Sequence, residues 1–218
     1  MHDACPDSGH SNAVNRRDYW DSVHARHDAG TASWTQTRPT VSLHLLAAAG
    51  LTPESRVIDI GAGDSLLVDE VISRGLTHLT VLDVSPVALE RAKAGLGGLH
   101  VSWIAADVTG PWREPVVDFW HDRAVFHFLT DASDRERYVE HLRRSLTPGG
   151  TAVIAAFALD GPERCSGLPV VRYSPETLAA ELGAEFEVEE SVREQHVTPS
   201  GGVQPFIDAR LRRRLPRT

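Results

Sequence analysis

The most informative stretch of the sequence covers residues 57–65 and reads Val57-Ile58-Asp59-Ile60-Gly61-Ala62-Gly63-Asp64-Ser65. Its apolar, β-branched start predicts a buried strand, its two glycines predict a tight turn, and Ser65 begins the helix that follows. Glycines in such a turn let the backbone approach a ligand closely, and the helix N-terminus offers it unpaired N–H groups. The stretch therefore indicates a ligand site at the carboxyl end of a strand.

The same stretch differs from the dinucleotide-binding fingerprint. The third glycine of that fingerprint would fall at position 66, which is Leu66. Asp59 precedes the first glycine by two residues, where its carboxylate would repel a pyrophosphate but not an ammonium or a sulfonium group. The turn is therefore compatible with a cationic ligand.

Strand and helix patterns alternate along the rest of the chain. Apolar segments predict strands at residues 56–60, 79–82, 101–105, 116–120 and 151–158. Apolar spacing predicts a helix at residues 65–73, and cap residues predict helices that begin at Ser85-Pro86 and at Ser174-Pro175, the latter ending at Gly183. A Ser133-Asp134-Arg135-Glu136 capping box predicts a further helix at residues 133–146. A turn is predicted at Thr147-Pro148-Gly149-Gly150, and strands at residues 185–193 and 204–211 form an antiparallel hairpin. This alternation predicts a mostly parallel sheet with helices on both faces and ligands beyond the carboxyl ends of its strands.

Composition excludes several classes of protein. The 218 residues are 41% hydrophobic and 24% charged, as in an ordinary globular protein. The net charge of −8 argues against a nucleic-acid partner, and no apolar run approaches the ~20 residues that span a bilayer. Two cysteines do not form a disulfide framework, which favours a reduced, cytoplasmic setting.

The single lysine of the chain narrows the choice of enzyme. Lys93 follows Ala92, so no phosphate-binding loop of the Walker type is present. A short-chain dehydrogenase would need a tyrosine at position 89, which is Leu89. Lys93 lies on the charged face of a predicted helix, which argues against Schiff-base chemistry.

Two further acids end predicted strands. Asp83 lies 20 residues after Gly63, at the end of the second strand, where a carboxylate accepts hydrogen bonds from a ribose diol. Asp107 ends the third strand, where it can accept from an adenine amino group while the Val108 amide donates to a ring nitrogen. Each acid, taken alone, could also be a turn or helix cap.

These residues resemble those of class I S-adenosylmethionine-dependent methyltransferases, over residues 17–211. The D-x-G-x-G turn, the two strand-end acids and Leu146-Thr147-Pro148-Gly149-Gly150 carry the resemblance. It implies an α/β fold with a Rossmann-like, seven-stranded, mostly parallel sheet, helices on both faces and a C-terminal antiparallel hairpin. It also implies S-adenosyl-L-methionine as cofactor, S-adenosyl-L-homocysteine as product, and a cofactor site formed by Trp34, Asp59, Gly61, Ala62, Gly63, Ser65, Leu66, Asp83, Val84, Asp107, Val108 and His121.

The resemblance assigns a part of the cofactor to most of these residues. Asp59, Gly61, Ala62 and Gly63 would line the methionine moiety, and Asp83 would hold the ribose hydroxyls. Val84 would lie against the adenine, and Asp107 and Val108 would read its edge. Trp34 would either close over the cofactor or the acceptor, with a cation–π contribution from the sulfonium, or pack on the sheet edge.

A narrower similarity, to bacterial members of the family, involves the segment from Trp120 to Leu129, which reads WHDRAVFHFL. His121, Asp122 and His127 are its candidate catalytic residues, with His127 as a possible general base. Two alternatives remain open: His127 is a satisfied core residue, and Asp122 pairs with Arg123. A looser similarity to elongation-factor lysine methyltransferases rests on Tyr19-Trp20-Asp21.

The predicted domain organisation is simple. Residues 1–15 form a flexible leader, and residues 16–218 form one methyltransferase domain. Within it, residues 16–50 form a helical cap, with helices at 17–29 and 39–49, and residues 56–211 form the Rossmann-like core. Loops at residues 30–38 and 161–172 are predicted to cover the acceptor.

The predicted function is methyl transfer to a small-molecule acceptor by in-line displacement. Alternatives are a protein-lysine methyltransferase, a cofactor-binding pseudo-enzyme or sensor and, more distantly, a dehydrogenase. No metal site is predicted, because His24 and His27 lack a third ligand at recognisable spacing. The identity of the acceptor, the choice between monomer and homodimer and the role of Cys165 stay open.

Overall fold

The computed structural model describes residues 15–27, 30–63, 65–96 and 101–215. Apart from Asn15, the predicted leader at residues 1–15 lies outside these ranges, as does the end of the predicted helix at 17–29. The helices are α1 Arg16–Arg26, α2 Thr40–Ala48, α3 Leu67–Ser73, α4 Pro86–Gly95, α5 Ala132–Ser145 and α6 Pro175–Leu182. The strands are β1 Arg56–Ile60, β2 His78–Asp83, β3 Val101–Ala105, β4 Val117–Arg123, β5 Leu146–Phe157, β6 Arg164–Cys165, β7 Leu168–Pro169, β8 Phe186–Val197 and β9 Val203–Arg213.

Seven strands form one sheet in the order β3-β2-β1-β4-β5-β9-β8. The first five are parallel, whereas β9 pairs antiparallel with both β5 and β8. The predicted fold class, a mostly parallel sheet with a terminal antiparallel pair, is confirmed. The short hairpin of β6 and β7 was not predicted.

Helices cover both faces of this sheet, because its central strands are apolar on both sides. One buried cluster joins α5 and α6 to the sheet and includes Trp120, Tyr138 and Leu178. The other joins α2, α3 and α4 to the opposite face and includes Leu46 and Leu89. No helix in the described part of the chain has the length and apolar character needed to cross a membrane.

Local cap chemistry begins two helices where the sequence predicted. The Ser85 hydroxyl accepts from the Ala88 amide, with Pro86 in the first turn of α4. Ser174 and Thr177 form a reciprocal capping box at the start of α6. The capping box predicted at Ser133 is wrong: the N-cap is Asp131, and Ser133 lies inside the first turn.

Two strand boundaries were also predicted incorrectly. The turn expected at residues 147–150 belongs to β5, where a bulge between the pairs Val117–Leu146 and Phe119–Thr151 absorbs three extra residues. β4 continues to Arg123 instead of ending at residue 120. This extension matters for the site, because successive side chains of a strand point to opposite faces.

Candidate active site

A cavity lies at the carboxyl ends of the central parallel strands, with about 1340 Å³ of empty space including its mouth. Every residue predicted to bind the cofactor lies in its wall. These are Trp34, Asp59, Gly61, Ala62, Gly63, Ser65, Leu66, Asp83, Val84, Asp107, Val108 and His121. Their common location is what the prediction requires, whereas their contacts with a ligand stay a prediction.

The glycine turn leaves no room for a side chain at Gly61 and little room for one at Gly63, where a Cβ atom would lie 3.3 Å from the His24 ring. Gly61 has φ +62° and Gly63 has φ +51°, in the left-handed region that favours glycine. A Cβ atom at position 61 would lie 2.0 Å from Cγ2 of Val125. Glycine is therefore needed at position 61, and the backbone of this turn forms part of the cavity wall.

Asp83 ties this turn to the next one. Its Oδ2 accepts from the Gly63 amide at 2.9 Å, and its Oδ1 accepts from the Ser85 amide at 2.8 Å. The side chain is buried, and two backbone donors from different loops orient its carboxylate. A carboxylate has about four lone-pair positions, so it can accept from a ligand in addition.

Asp107 is held as an anion by its neighbours. Its Oδ1 accepts from the Thr109 amide and hydroxyl, both at 2.8 Å, and Arg16 Nη1 donates to Oδ2 at 3.1 Å. Burial acts to raise the pKa of Asp107, but these hydrogen bonds and the guanidinium charge outweigh it and lower the pKa. Arg16 also pairs with Asp134, and its place in the cavity wall was not predicted.

His121 links two buried residues. Its Nδ1 lies 2.6 Å from Asp59 Oδ1, and its Nε2 lies 2.9 Å from the Ser42 hydroxyl. The other oxygen of Asp59, Oδ2, is buried with no hydrogen-bond partner among the described residues. Both ring nitrogens of His121 are therefore engaged.

Asp122 does not line the cavity, because β4 alternates and turns it to the opposite face from its two neighbours. It accepts from the Val125 amide at 2.9 Å and from the Tyr138 hydroxyl at 2.7 Å. Burial raises the pKa of Asp122 to about 6, against the effect of these hydrogen bonds. Its position supports a structural role in the turn after β4 and gives no support to the catalytic role predicted for it.

His127 also lies away from the cavity, fully buried between aromatic rings. Its ring centroid is 4.5 Å from those of Phe128 and Phe157, and its Nδ1 accepts from the Phe157 amide at 3.3 Å. Burial, with a contribution from Arg123, lowers its pKa to about 3. It is thus a neutral core histidine, whose position does not support general-base catalysis. It differs from the satisfied core residue that the sequence left open, because its Nε2 is buried with no hydrogen-bond partner among the described residues.

An aromatic cluster that the sequence did not predict bounds one end of the cavity. Trp20 of α1 lies edge-on to Trp34 and Phe128, with centroids 6.1 and 5.0 Å apart. Cys165 and Leu168 of the short hairpin line the same end. Burial raises the pKa of the Cys165 thiol, which disfavours the reactive thiolate form.

Arg123 forms the polar part of this aromatic end. Its Nη1 donates to the Trp34 carbonyl at 3.1 Å, its Nη2 donates to Glu194 Oε2 at 3.4 Å, and it stacks on the Phe206 ring at 4.5 Å. Gln36 donates to the other oxygen of Glu194 at 2.8 Å. These contacts hold the guanidinium in the cavity wall with its charge offset by one carboxylate.

Within the described residues, three of the four arginines at positions 210–214 pair with glutamates, whereas Arg213 donates to backbone carbonyls. Arg210 and Arg212 pair with Glu189 across the terminal hairpin, and Arg214 pairs with Glu187. These cross-strand pairs stabilise the hairpin.

Asp208 of β9 is a fully buried carboxyl group behind Arg123. Neither of its oxygens has a hydrogen-bond partner among the described residues, and burial together with Glu194 raises its pKa to about 7. A carboxyl group whose pKa is higher in the folded state loses its proton at a lower pH in the unfolded state than in the folded state. The free energy of unfolding therefore falls as the pH rises from the unfolded pKa to the folded one.

We expect Asp208→Asn to remove this dependence. As the pH rises from about 4 to about 8, the difference in the free energy of unfolding, variant minus wild type, should increase by up to about 4 kcal/mol. Urea unfolding of both proteins across this pH range measures the difference. Other titrating groups, such as His127, are common to the two proteins and cancel, so parallel curves would contradict the prediction.

Comparisons with known proteins agree with this geometry. Residues 57–150 match the family model described as a methyltransferase domain. Over 159 residues the chain is 24% identical to EEF1A lysine methyltransferase 2 of Danio rerio, an alignment that covers 64% of this chain and 67% of that protein.

Two solved structures share the fold. One is the 1,6-didemethyltoxoflavin-N1-methyltransferase of Burkholderia thailandensis, with a TM-score of 0.71, 23% identity, and coverage of 98% of this chain and 93% of that one. The other is the N-methyltransferase NodS of Bradyrhizobium japonicum, with a TM-score of 0.71, 22% identity, and coverage of 88% and 97%. Both were solved with bound S-adenosylhomocysteine. The matched segment, which contains the glycine turn, Asp83 and Asp107, is a methyltransferase domain, and the comparisons support an S-adenosylmethionine-dependent methyltransferase.

Proposed function

We propose that this enzyme transfers a methyl group from S-adenosylmethionine to a small-molecule acceptor held at the aromatic end of the cavity. The observation that carries the proposal is the composition of that end, where Trp20, Trp34, Phe128 and Leu168 line the cavity together with a few polar side chains. These polar side chains are Arg123, Gln36 and His24. Small-molecule sites are mostly apolar walls with a few placed polar groups. We also propose that residues 16–50 act as a cap on a core at residues 56–211, since Trp20 and Trp34 come from this segment.

The cofactor fits the other end of the cavity. The buried, unpartnered Asp59 Oδ2 suits the ammonium group of the aminoacyl tail, beside the Gly61, Ala62 and Gly63 backbone. Asp83 would accept from the ribose hydroxyls. The remaining wall residues would contact the adenine or line the cavity next to it. These are Ser65, Leu66, Val84, Asp107 and Val108.

The chain's contribution to the reaction is alignment and exclusion of water. S-adenosylmethionine supplies an electrophilic methyl group on a sulfonium. Holding two reactants in line can lower the barrier by ~7–11 kcal/mol. Trp34 and the other rings exclude water and present electron-rich faces to positive charge. His121, with both nitrogens engaged, would not take the proton of the acceptor, so we expect a nucleophile that arrives with an available lone pair, such as a neutral amine or a thiolate.

A protein-lysine methyltransferase is the second candidate, favoured by the similarity to the Danio rerio enzyme. A lysine side chain would be guided by an open acidic trench over the cofactor. In this cavity, Asp59, Asp83 and Asp107 lie at the proposed cofactor end, and the aromatic end carries an arginine instead. The third candidate, a cofactor-binding pseudo-enzyme, would have the same cavity without turnover.

Measurement of S-adenosylhomocysteine release separates the three candidates. The purified enzyme is incubated with S-adenosylmethionine and pools of small amines, thiols and phenols, or with protein and peptide fractions. We expect release with at least one small-molecule pool above the rate without acceptor. Release only with protein fractions would identify the lysine methyltransferase, and cofactor binding without any release would identify the pseudo-enzyme.

Loop ordering gives a second expected outcome. Residues 30–38 and 161–172 contribute Trp34, Cys165 and Leu168 to the cavity wall, so ligands there should bury and order both segments. Hydrogen exchange is expected to slow in both when S-adenosylhomocysteine and an acceptor are added. The tip of the terminal hairpin, residues 198–202, contributes nothing to the cavity wall and serves as the internal control. Equal exchange with and without ligands in both segments would contradict the proposed lid.

A further inference from the structure

Ser42 lies in α2, outside the cavity wall, and yet is connected to it through two buried hydrogen bonds. The path runs from Ser42 Oγ to His121 Nε2 at 2.9 Å, and from His121 Nδ1 to Asp59 Oδ1 at 2.6 Å. Each of the three residues is only 2% exposed. Asp59 and His121 line the cavity, whereas Ser42 reaches it only through the imidazole.

The chemistry of the three groups orders the path in one direction. An ionised carboxylate only accepts hydrogen bonds, so His121 Nδ1 donates to Asp59 Oδ1. Nε2 of a neutral imidazole is then an acceptor, and the Ser42 hydroxyl donates to it. The serine therefore selects the tautomer that binds the acid.

The path ends on an oxygen that nothing in the described structure satisfies. Asp59 Oδ2 is buried without a partner, which is costly for a carboxylate unless a ligand completes it. Because Oδ1 is held by His121, rotation of the carboxylate is restricted and Oδ2 keeps one direction. A cationic donor at that point would receive a preoriented acceptor.

We propose that Ser42 and His121 are positioning residues that act through Asp59 and set the affinity for the charged aminoacyl end of the cofactor. The proposal rests on the proposed cofactor orientation, in which the ammonium group lies against Asp59. It gives His121 a role other than acid–base catalysis. It also makes α2 part of cofactor binding, although no residue of α2 lines the cavity.

The test compares two ligands that differ in the aminoacyl tail. S-adenosylhomocysteine carries the tail, and 5′-methylthioadenosine has the same nucleoside without it. Calorimetry measures the affinity of both for the wild type, Ser42→Ala and Ser145→Ala. Ser145 is the matched control, because it is equally buried and its hydroxyl donates to the Pro115 carbonyl, away from the cavity.

We expect Ser42→Ala to weaken S-adenosylhomocysteine binding by about three- to tenfold, the value of one hydrogen bond, while the affinity for 5′-methylthioadenosine stays within about twofold. Ser42→Thr, which keeps a hydroxyl, should restore the preference for the tailed ligand. His121→Asn, which keeps a donor for Asp59 but loses Ser42, should give the same ligand-selective loss. If Ser42→Ala fails to fold, the His121→Asn variant is used in its place.

Other results would overturn the proposal in distinguishable ways. Equal changes for both ligands, or no change for either, in a folded variant would assign Ser42 a purely structural role and leave the cofactor site standing. If the wild type binds neither ligand, both the proposed cofactor site and the positioning role of Ser42 and His121 are wrong. A loss in turnover of about a hundredfold or more for His121→Asn at saturating cofactor would assign proton transfer to His121 instead.

Discussion

Replacement of Asp83 by alanine is expected to lower the affinity for S-adenosylhomocysteine by about a hundredfold or more. The variant would lose two charge-assisted hydrogen bonds to the ribose diol, each worth ~1.5–3 kcal/mol. It would also release the Gly63 and Ser85 amides, which the carboxylate holds at 2.9 and 2.8 Å, so the loops on either side of the ligand would lose their common anchor. Calorimetric titration measures the loss.

Asp118→Ala provides the control for a general effect of removing a carboxylate. Asp118 pairs with Arg56 near the start of β4, at the opposite end of the strand from the cavity. Exposed pairs of this kind contribute about 0–1 kcal/mol, so ligand affinity should stay within about twofold. Near-normal affinity of a folded Asp83→Ala variant would exclude the ribose role and, with it, the proposed cofactor orientation.

Gly61→Ala is expected to destabilise the protein by roughly 2–5 kcal/mol and to impair cofactor binding. The left-handed backbone at φ +62° costs an alanine about 1–2 kcal/mol. The new methyl group would lie 2.0 Å from Cγ2 of Val125, so the turn or the segment after β4 must shift, at a further cost of ~1–3 kcal/mol. Urea unfolding gives the first quantity and calorimetry the second.

Two variants separate strain from overlap. Gly50 has φ +86° and no atom within 4 Å of its would-be Cβ, so Gly50→Ala should show the backbone cost alone. Val125→Ala in the Gly61→Ala background removes the overlapping methyl group and should recover part of the stability. If Gly61→Ala and Gly50→Ala cost the same, the close approach at the turn contributes nothing.

The common location of the glycine turn and the strand-end acids in one cavity was predictable, because these residues follow local signals. In the segment from Val57 to Ser65, consecutive residues specify a strand, a turn and the start of a helix. Asp83 ends β2, and Asp107 follows the end of β3 by two residues, in the same parallel sheet. Parallel strands bring their carboxyl ends to one edge, so these separate local patterns meet in one cavity.

The predicted catalytic residues show that proximity in the sequence does not determine which side chains face the cavity. His121, Asp122 and His127 are close in sequence, but the strand was expected to end at residue 120 and continues to Arg123. Because side chains alternate along a strand, His121 and Arg123 face the cavity while Asp122 faces Tyr138 and the helices behind it. His127 enters the core in the short turn that follows.

Fold class, the glycine turn and the strand-end acids follow from short-range patterns of apolarity, glycine and cap residues, which neighbouring positions in the chain are sufficient to encode. The pairings that shape the site do not. Ser42 meets His121 across 79 positions, Arg16 meets Asp107 across 91, and Arg123 meets Glu194 across 71. Such contacts depend on the packing of α1, α2 and the terminal hairpin against the sheet, and no local pattern specifies which distant polar group will satisfy a buried one.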